Sequence, residues 1–282
     1  MKKPFRFLLN TYLNFCKSDM FVYAANATFW LVIAAFPMLI LLLSVLRFFP
    51  SLQTEQLRAF LLEVFPSAPA IGELVATVAP ELEKESTTAV SWISGLATLF
   101  SASTGTFAVM KGLAHLNGVK RQNWMKYRLI SAGYTLGLLI LVILTLGSKL
   151  AAQIIISLIN SKLELEALRS ISASAVSVLQ YCHIITLIGT FLMALALYRF
   201  PFEKGSRIRD RIPGALFASV VWFVAGKVFS FYISRFWKKY VIYGSLTAVV
   251  LIFLWAYLMM VILFLGAAIN KSLNDNGSVP FE

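Results

Sequence analysis

The sequence predicts an all-α fold, a polytopic membrane helical bundle of six transmembrane helices with an N-terminal amphipathic helix and a short helical outer segment. Hydrophobic residues make up 59% of the chain against 13% charged, a balance that water could not solvate as a surface. The apolar residues come in runs of about 20 or more, enough at about 1.5 Å per residue to cross a hydrocarbon core of about 30 Å. The alternating segments of about ten residues that mark a membrane β-barrel do not occur. Most of the Lys and Arg behind the net charge of +12 lie between the apolar runs, where inter-helix loops belong.

The whole chain, 1–282, reads as one membrane domain. In residues 1–19, Phe5, Leu8, Leu9, Tyr12, Leu13 and Cys16 recur at helical spacing among Lys2, Lys3, Arg6 and Lys17, the pattern of a helix lying on the inner membrane surface. The apolar run that starts at Met20 is too long for a signal-peptide core and lacks a small-residue cleavage site, so the first span, 20–46, is expected to act as its own insertion signal. Residues 47–87 carry Glu55, Glu63, Glu73, Glu81, Glu83 and Glu85. Their apolar residues recur as Leu57, Phe60, Leu61 and Val64, then as Ile71, Leu74, Val75, Val78 and Leu82, which reads as two outer amphipathic helices around a turn at Pro66 to Pro69. Five more spans follow at 88–110, 129–159, 173–198, 212–235 and 243–270, and 271–282 is expected to be a cytoplasmic tail.

Charge sets the orientation. The N-terminal segment, the 111–128 loop (Lys111, Lys120, Arg121, Lys126, Arg128) and the 199–211 loop (Arg199, Lys204, Arg207, Arg209, Arg211) are basic and belong in the cytoplasm, with both termini. Arg235, Lys238 and Lys239 dissent, but the summed bias outweighs them. Cys16 and Cys182 then fall on or near opposite sides, so no disulfide framework is expected. A basic chain of this kind meets anionic headgroups rather than nucleic acid, since no basic-aromatic recognition motif accompanies the charge.

Inside the spans there is no Asp or Glu, so the buried carboxylates of proton-driven pumps are missing. What remains is a set of polar and small residues. Ser94, Ser101, Thr104, Gly105 and Ala108 share a face of the second span, where close helix packing is the plainer reading and a polar path the functional one. Gly133 with Gly137, and Gly214 with Ala218, are further small pairs four apart. In the fifth span Ser219, Gly226, Lys227, Ser230 and Ser234 share a face, and Lys227 either snorkels outward or lines a cavity. Lys149 is read as snorkelling. His183, Thr186 and Thr190 share a face of the fourth span. Asn26 and Thr28 lie near the inner end of the first span, and Pro37 is expected to kink it. The candidate substrate path is therefore Asn26, Pro37, Ser101, Thr104, His183, Thr186, Lys227 and Ser230, and the candidate lipid-headgroup contacts are Arg199, Arg207, Arg209 and Arg211.

No Walker A loop, dinucleotide fingerprint, zinc-protease motif or nucleophile elbow occurs in the chain. His115 and His183 are too far apart to form a metal site. No catalytic residue, metal or cofactor is expected.

The C-terminal third contains Leu197 to Pro201, Arg211 to Ala215, Phe229 to Arg235, Tyr243 to Leu246 and Leu265 to Ala267, and the first span contains the pair Phe36 and Pro37. In order and spacing these resemble the YihY/BrkB-like family of bacterial inner membrane proteins, also designated UPF0761. The resemblance implies a six-helix inner membrane protein with cytoplasmic termini. Members have carried the name ribonuclease BN, which the residues of this chain do not support, for want of a His/Asp metal cluster. Other members are associated with serum resistance or with export of lipopolysaccharide-like lipids. Where the family commonly has Glu after the final Gly-Ala pair this chain has Ala268, so no role of that acid carries over.

Two functions from different classes follow. The first is transport or flipping of an amphiphilic envelope component such as a lipid, and the second is a non-transporting membrane scaffold for envelope partners, docking a periplasmic or cytoplasmic protein through the acidic outer segment or the basic loops. A ribonuclease is the disfavoured third.

Overall fold

The computed structural model describes residues 3–46, 91–119, 123–162, 184, 187–199, 208–236 and 245–278. The described elements are helices: α1 (Lys3–Lys17), α2 (Met20–Leu46), α3 (Ser91–Leu116), α4 (Trp124–Lys162), α5 (Leu187–Arg199), a 3-10 turn (Ile208–Arg211) leading into α6 (Ile212–Phe236), and α7 (Ser245–Ser278). The expected outer segment 47–87, and with it any test of its two amphipathic helices, lies outside the described residues.

Among the described residues three helices are long and apolar enough to cross a membrane: Trp124–Thr145, Ile208–Tyr232 and Val249–Asn274. A fourth counts if the bent pair Leu9–Lys17 and Met20–Ala35, which meet at 62°, is one span. α3 has the length, 26 residues, but is rich in Ser, Thr and Gly, and α5 is a shorter apolar helix within the expected span 173–198.

The bend between α1 and α2 has a local cause. Asp19 takes φ 50°, a left-handed conformation that Asp tolerates better than most residues, and its N–H donates to the Cys16 carbonyl at 3.0 Å. Its own carbonyl then accepts from Val22 N–H at 2.9 Å, opening α2. α3 ends in a Schellman motif: Gly118, at φ 70°, donates to the His115 carbonyl at 3.0 Å while Val119 donates to Ala114 at 3.0 Å. Pro37 sits half-buried inside α2, where its missing N–H leaves the carbonyl of Ile33 without its helical donor.

Small residues decide which faces meet. On α2, Ala24, Ala27 and Ala34 are buried, and on α3 Gly105 lies so close that a Cβ there would sit 2.8 Å from the Leu31 Cα. Gly105 and Ala108 of the predicted stripe therefore serve packing, whereas Ser101 is exposed. α4 joins α3 through Thr106 and Thr135, whose hydroxyls are 3.1 Å apart, and joins α5 through Tyr134, which donates to the Ala196 carbonyl at 2.5 Å. A Cβ at Gly137 would lie 4.0 Å from the Met193 sulfur and one at Gly133 would meet nothing within 4 Å, so that pair is not a close crossing.

The start of α6 and the end of α7 come together at one end of the bundle, with α1, the start of α2 and the end of α3. Asn14 donates to Ser272 Oγ at 3.1 Å, Tyr23 stacks on His115 at 4.6 Å, and Lys271 Nζ donates to the Leu116 carbonyl at 2.8 Å. On α1, Phe15 is buried while Leu9, Tyr12 and Leu13 face outward.

Candidate functional site

Two constellations stand out among the described residues. The first is the junction of α5, α6 and α7. Gly214 and Gly266 lie face to face, so that a Cβ on either would strike the other's carbonyl oxygen. This close approach lets Asn270, wholly buried, bracket the start of α6: its Oδ1 accepts from the Gly214 N–H at 2.7 Å and its Nδ2 donates to the Arg211 carbonyl at 3.2 Å. A helix's first-turn N–H groups have no partner within the helix, and here one finds its acceptor on a neighbouring helix. Tyr198 completes the junction by donating to the Leu263 carbonyl at 2.6 Å. Arg211 is 2% exposed, although charge counting places it with the loop residues. Replacing Tyr198 with Phe removes one interhelical hydrogen bond and is expected to lower stability by about 0.6 kcal/mol, read as a lower thermal midpoint of the detergent-solubilised protein.

The second constellation lies along α3. Phe100, Thr104, Phe107 and Lys111 fall at spacings that keep them on one helical face. Arg128, from the first turns of α4, is laid across that face. Its Nη2 donates to the Phe100 carbonyl at 2.7 Å and to Thr104 Oγ1 at 3.1 Å, and its guanidinium carbon is 3.8 Å from the centre of the Phe100 ring. Arg128 is therefore buried against a neighbouring helix and not, as loop counting implies, a free inner-loop charge.

The other sequence candidates are dispersed. Asn26 is exposed on α2 among exposed Val22, Phe29 and Trp30. Lys227 and Ser230 are exposed on α6, with Lys227 Nζ 5.1 Å from the centre of the Phe223 ring and Val224, Val228 and Phe231 exposed around them. Thr104 is half-buried under Arg128, and Thr190 donates to the Leu187 carbonyl at 2.9 Å. Arg199 and Arg209 are exposed. His183, Thr186 and Arg207 lie outside the described residues. The structure thus joins Thr104 to Arg128 and sets Arg211 beside Asn270, and it places Asn26, Ser101, Lys227 and Ser230 on outward faces of three different helices.

Helices of this length and composition, packed through small residues with their apolar side chains outward, make this a helical membrane protein. Residues 11–280 match the family described as virulence factor BrkB. The chain belongs to that family. It is 30% identical over 272 residues to the UPF0761 membrane protein PBPRA3489 of Photobacterium profundum, covering 94% of this chain and 80% of that one. It is 28% identical over 243 residues to a UPF0761 membrane protein of Vibrio campbellii, covering 85% and 73%. It is also 24% identical over 263 residues to YfkH of Bacillus subtilis, named as ribonuclease-like, covering 92% of each. No solved structure matches.

Proposed function

We propose that this protein is a multi-pass protein of the bacterial inner membrane that moves an amphiphilic envelope component, a lipid, and performs no chemistry of its own. In this reading six spans cross the bilayer, both termini face the cytoplasm, and α1 lies on the inner surface with Leu9, Tyr12 and Leu13 toward the lipid.

The observation that carries the reading is the outward placement of polar side chains on helix faces that are otherwise apolar. Lys227 lies about 22 Å along α6 from its start, so its ammonium must snorkel to an interface or meet a polar headgroup. Asn26, Ser101 and Ser230 likewise place polar groups on outward faces, where a headgroup could take up their hydrogen bonds. On each of these separate faces a lipid headgroup could meet a polar side chain while its chains remain in the bilayer, which needs no enclosed cavity and no nucleotide site.

The test is reconstitution into liposomes that carry a headgroup-labelled phospholipid, with transfer between leaflets followed by quenching from outside. Wild-type protein is expected to speed transfer. A lysine near a headgroup is worth about 1 kcal/mol, so Lys227→Leu is expected to slow transfer about fivefold. Transfer no faster than in protein-free liposomes would rule the reading out.

A further inference from the structure

We propose that Arg128 and Lys111, both set against the ring of Phe107, form a binding site for the phosphate of an anionic phospholipid. The proposal rests on the reading above that the protein handles lipid, and it names the place where the headgroup is held.

Lys111 Nζ lies 4.8 Å from the centre of the Phe107 ring and the guanidinium carbon of Arg128 5.3 Å from it, so one aromatic side chain gathers two cations. Neither α2, α3 nor α4 contains an Asp or Glu that could neutralise them. Arg128 is 8% exposed, both of its hydrogen bonds use Nη2, and its buried Nε makes none. A guanidinium offers five N–H donors and stays charged at any physiological pH, so this one retains donors and charge that the helices do not consume. Lys111 is exposed and adds a second donor.

The surroundings select a lipid over a free ion. Further along the same face of α3, Leu96 is 66% exposed and Phe100 50% exposed, an apolar surface suited to acyl chains directly beyond the cations. Inorganic phosphate would gain nothing from that surface. A phosphodiester with two chains would use both parts, its oxygens accepting from Lys111 and Arg128 and its chains lying along Leu96 and Phe100.

Native mass spectrometry of the full-length protein tests this with three probes: phosphatidylglycerol, phosphatidylcholine and diacylglycerol. Phosphatidylglycerol is expected to be retained best and diacylglycerol least. Lys111→Gln alters only an exposed side chain and is expected to weaken phosphatidylglycerol retention about fivefold. Arg128→Gln removes the charge together with the Nη2 bonds to Phe100 and Thr104, so it is expected to weaken retention with a lower thermal midpoint, and Lys111→Gln is the variant that separates binding from folding. Phosphatidylglycerol retention indifferent to Lys111→Gln would overturn the site, as would equal retention of diacylglycerol. Displacement of the lipid by excess inorganic phosphate would overturn the lipid assignment in favour of a free-anion site. The two readings fail separately: site-dependent retention without transfer in liposomes sinks the transport reading alone, and transfer with retention indifferent to Lys111 sinks the site alone.

Discussion

Replacing Gly214 with alanine is expected to cost this protein about 3 kcal/mol, the upper end of what an inserted methyl group costs in a packed core. The added carbon has no free direction. It would strike the Gly266 carbonyl oxygen on one side and the Asn270 amide, 2.5 Å away at Nδ2, on the other. A flexible side chain could rotate away, but the Gly266 carbonyl is helix backbone and moves only if α6 and α7 separate. Against a total stability of about 5–15 kcal/mol such a loss should appear as a sharp fall in thermal midpoint and in the yield of monodisperse protein. Gly133→Ala is the control. Nothing lies within 4 Å of a Cβ at Gly133, so alanine in that helix should be neutral or stabilise by up to about 1 kcal/mol. Equal behaviour of the two variants would refute the close contact of α6 with α7.

The second large effect is expected at Asn270. Asn270→Leu preserves volume but removes the acceptor for the Gly214 N–H and one donor to the Arg211 carbonyl, leaving a buried backbone N–H without the partner it has here. An unpaired buried polar group costs about 1–3 kcal/mol, and water reaching the end of the bundle would relieve part of that, so a net loss of about 2 kcal/mol is expected. Chemical or thermal unfolding in detergent measures it. In the background of Gly214→Ala, where the bracket is already displaced, the further cost of Asn270→Leu should shrink; full additivity would mean that the two residues do not share one junction.

How much of this was legible in the sequence depends on the kind of contrast each feature offers. The membrane class was, because long apolar runs and the absence of carboxylates inside them are properties of composition. The pairing of Gly214 with Ala218 also pointed correctly to close packing, and the residues that carry the family resemblance, Tyr198, Arg211, Gly214 and Gly266, turn out to meet at one junction. Helix facing was not legible. In a soluble helix the apolar stripe marks the core, but a membrane helix is apolar on all sides, so periodicity cannot tell the face that meets a neighbour from the face that meets lipid. That is why Asn26, Ser101, Lys227 and Ser230, read as a shared path, lie on separate outward faces. Arg128 was missed for a related reason. Counting charges near helix ends treats each as an inner-side marker, and nothing in the count records that a side chain this long can lie across the neighbouring helix to Phe100 and Thr104. Asn270 carried a fainter signal, an amide among the apolar residues of the last span, which only the position of Gly214 turns into a bracket.

The bond from Asn14 to Ser272 ties the first helix to the last across 258 residues. At a synthesis rate of about 5–20 residues per second, α1 must wait about 13–50 s after its own synthesis before its partner exists. During that interval Asn14 has no Ser272 to donate to, although Phe15 already has Phe21 of α2 beside it. The ordering of the chain on the ribosome therefore leaves this helix as a late-docking part, one that must be sheltered by the bilayer surface or by insertion machinery until the final segment arrives.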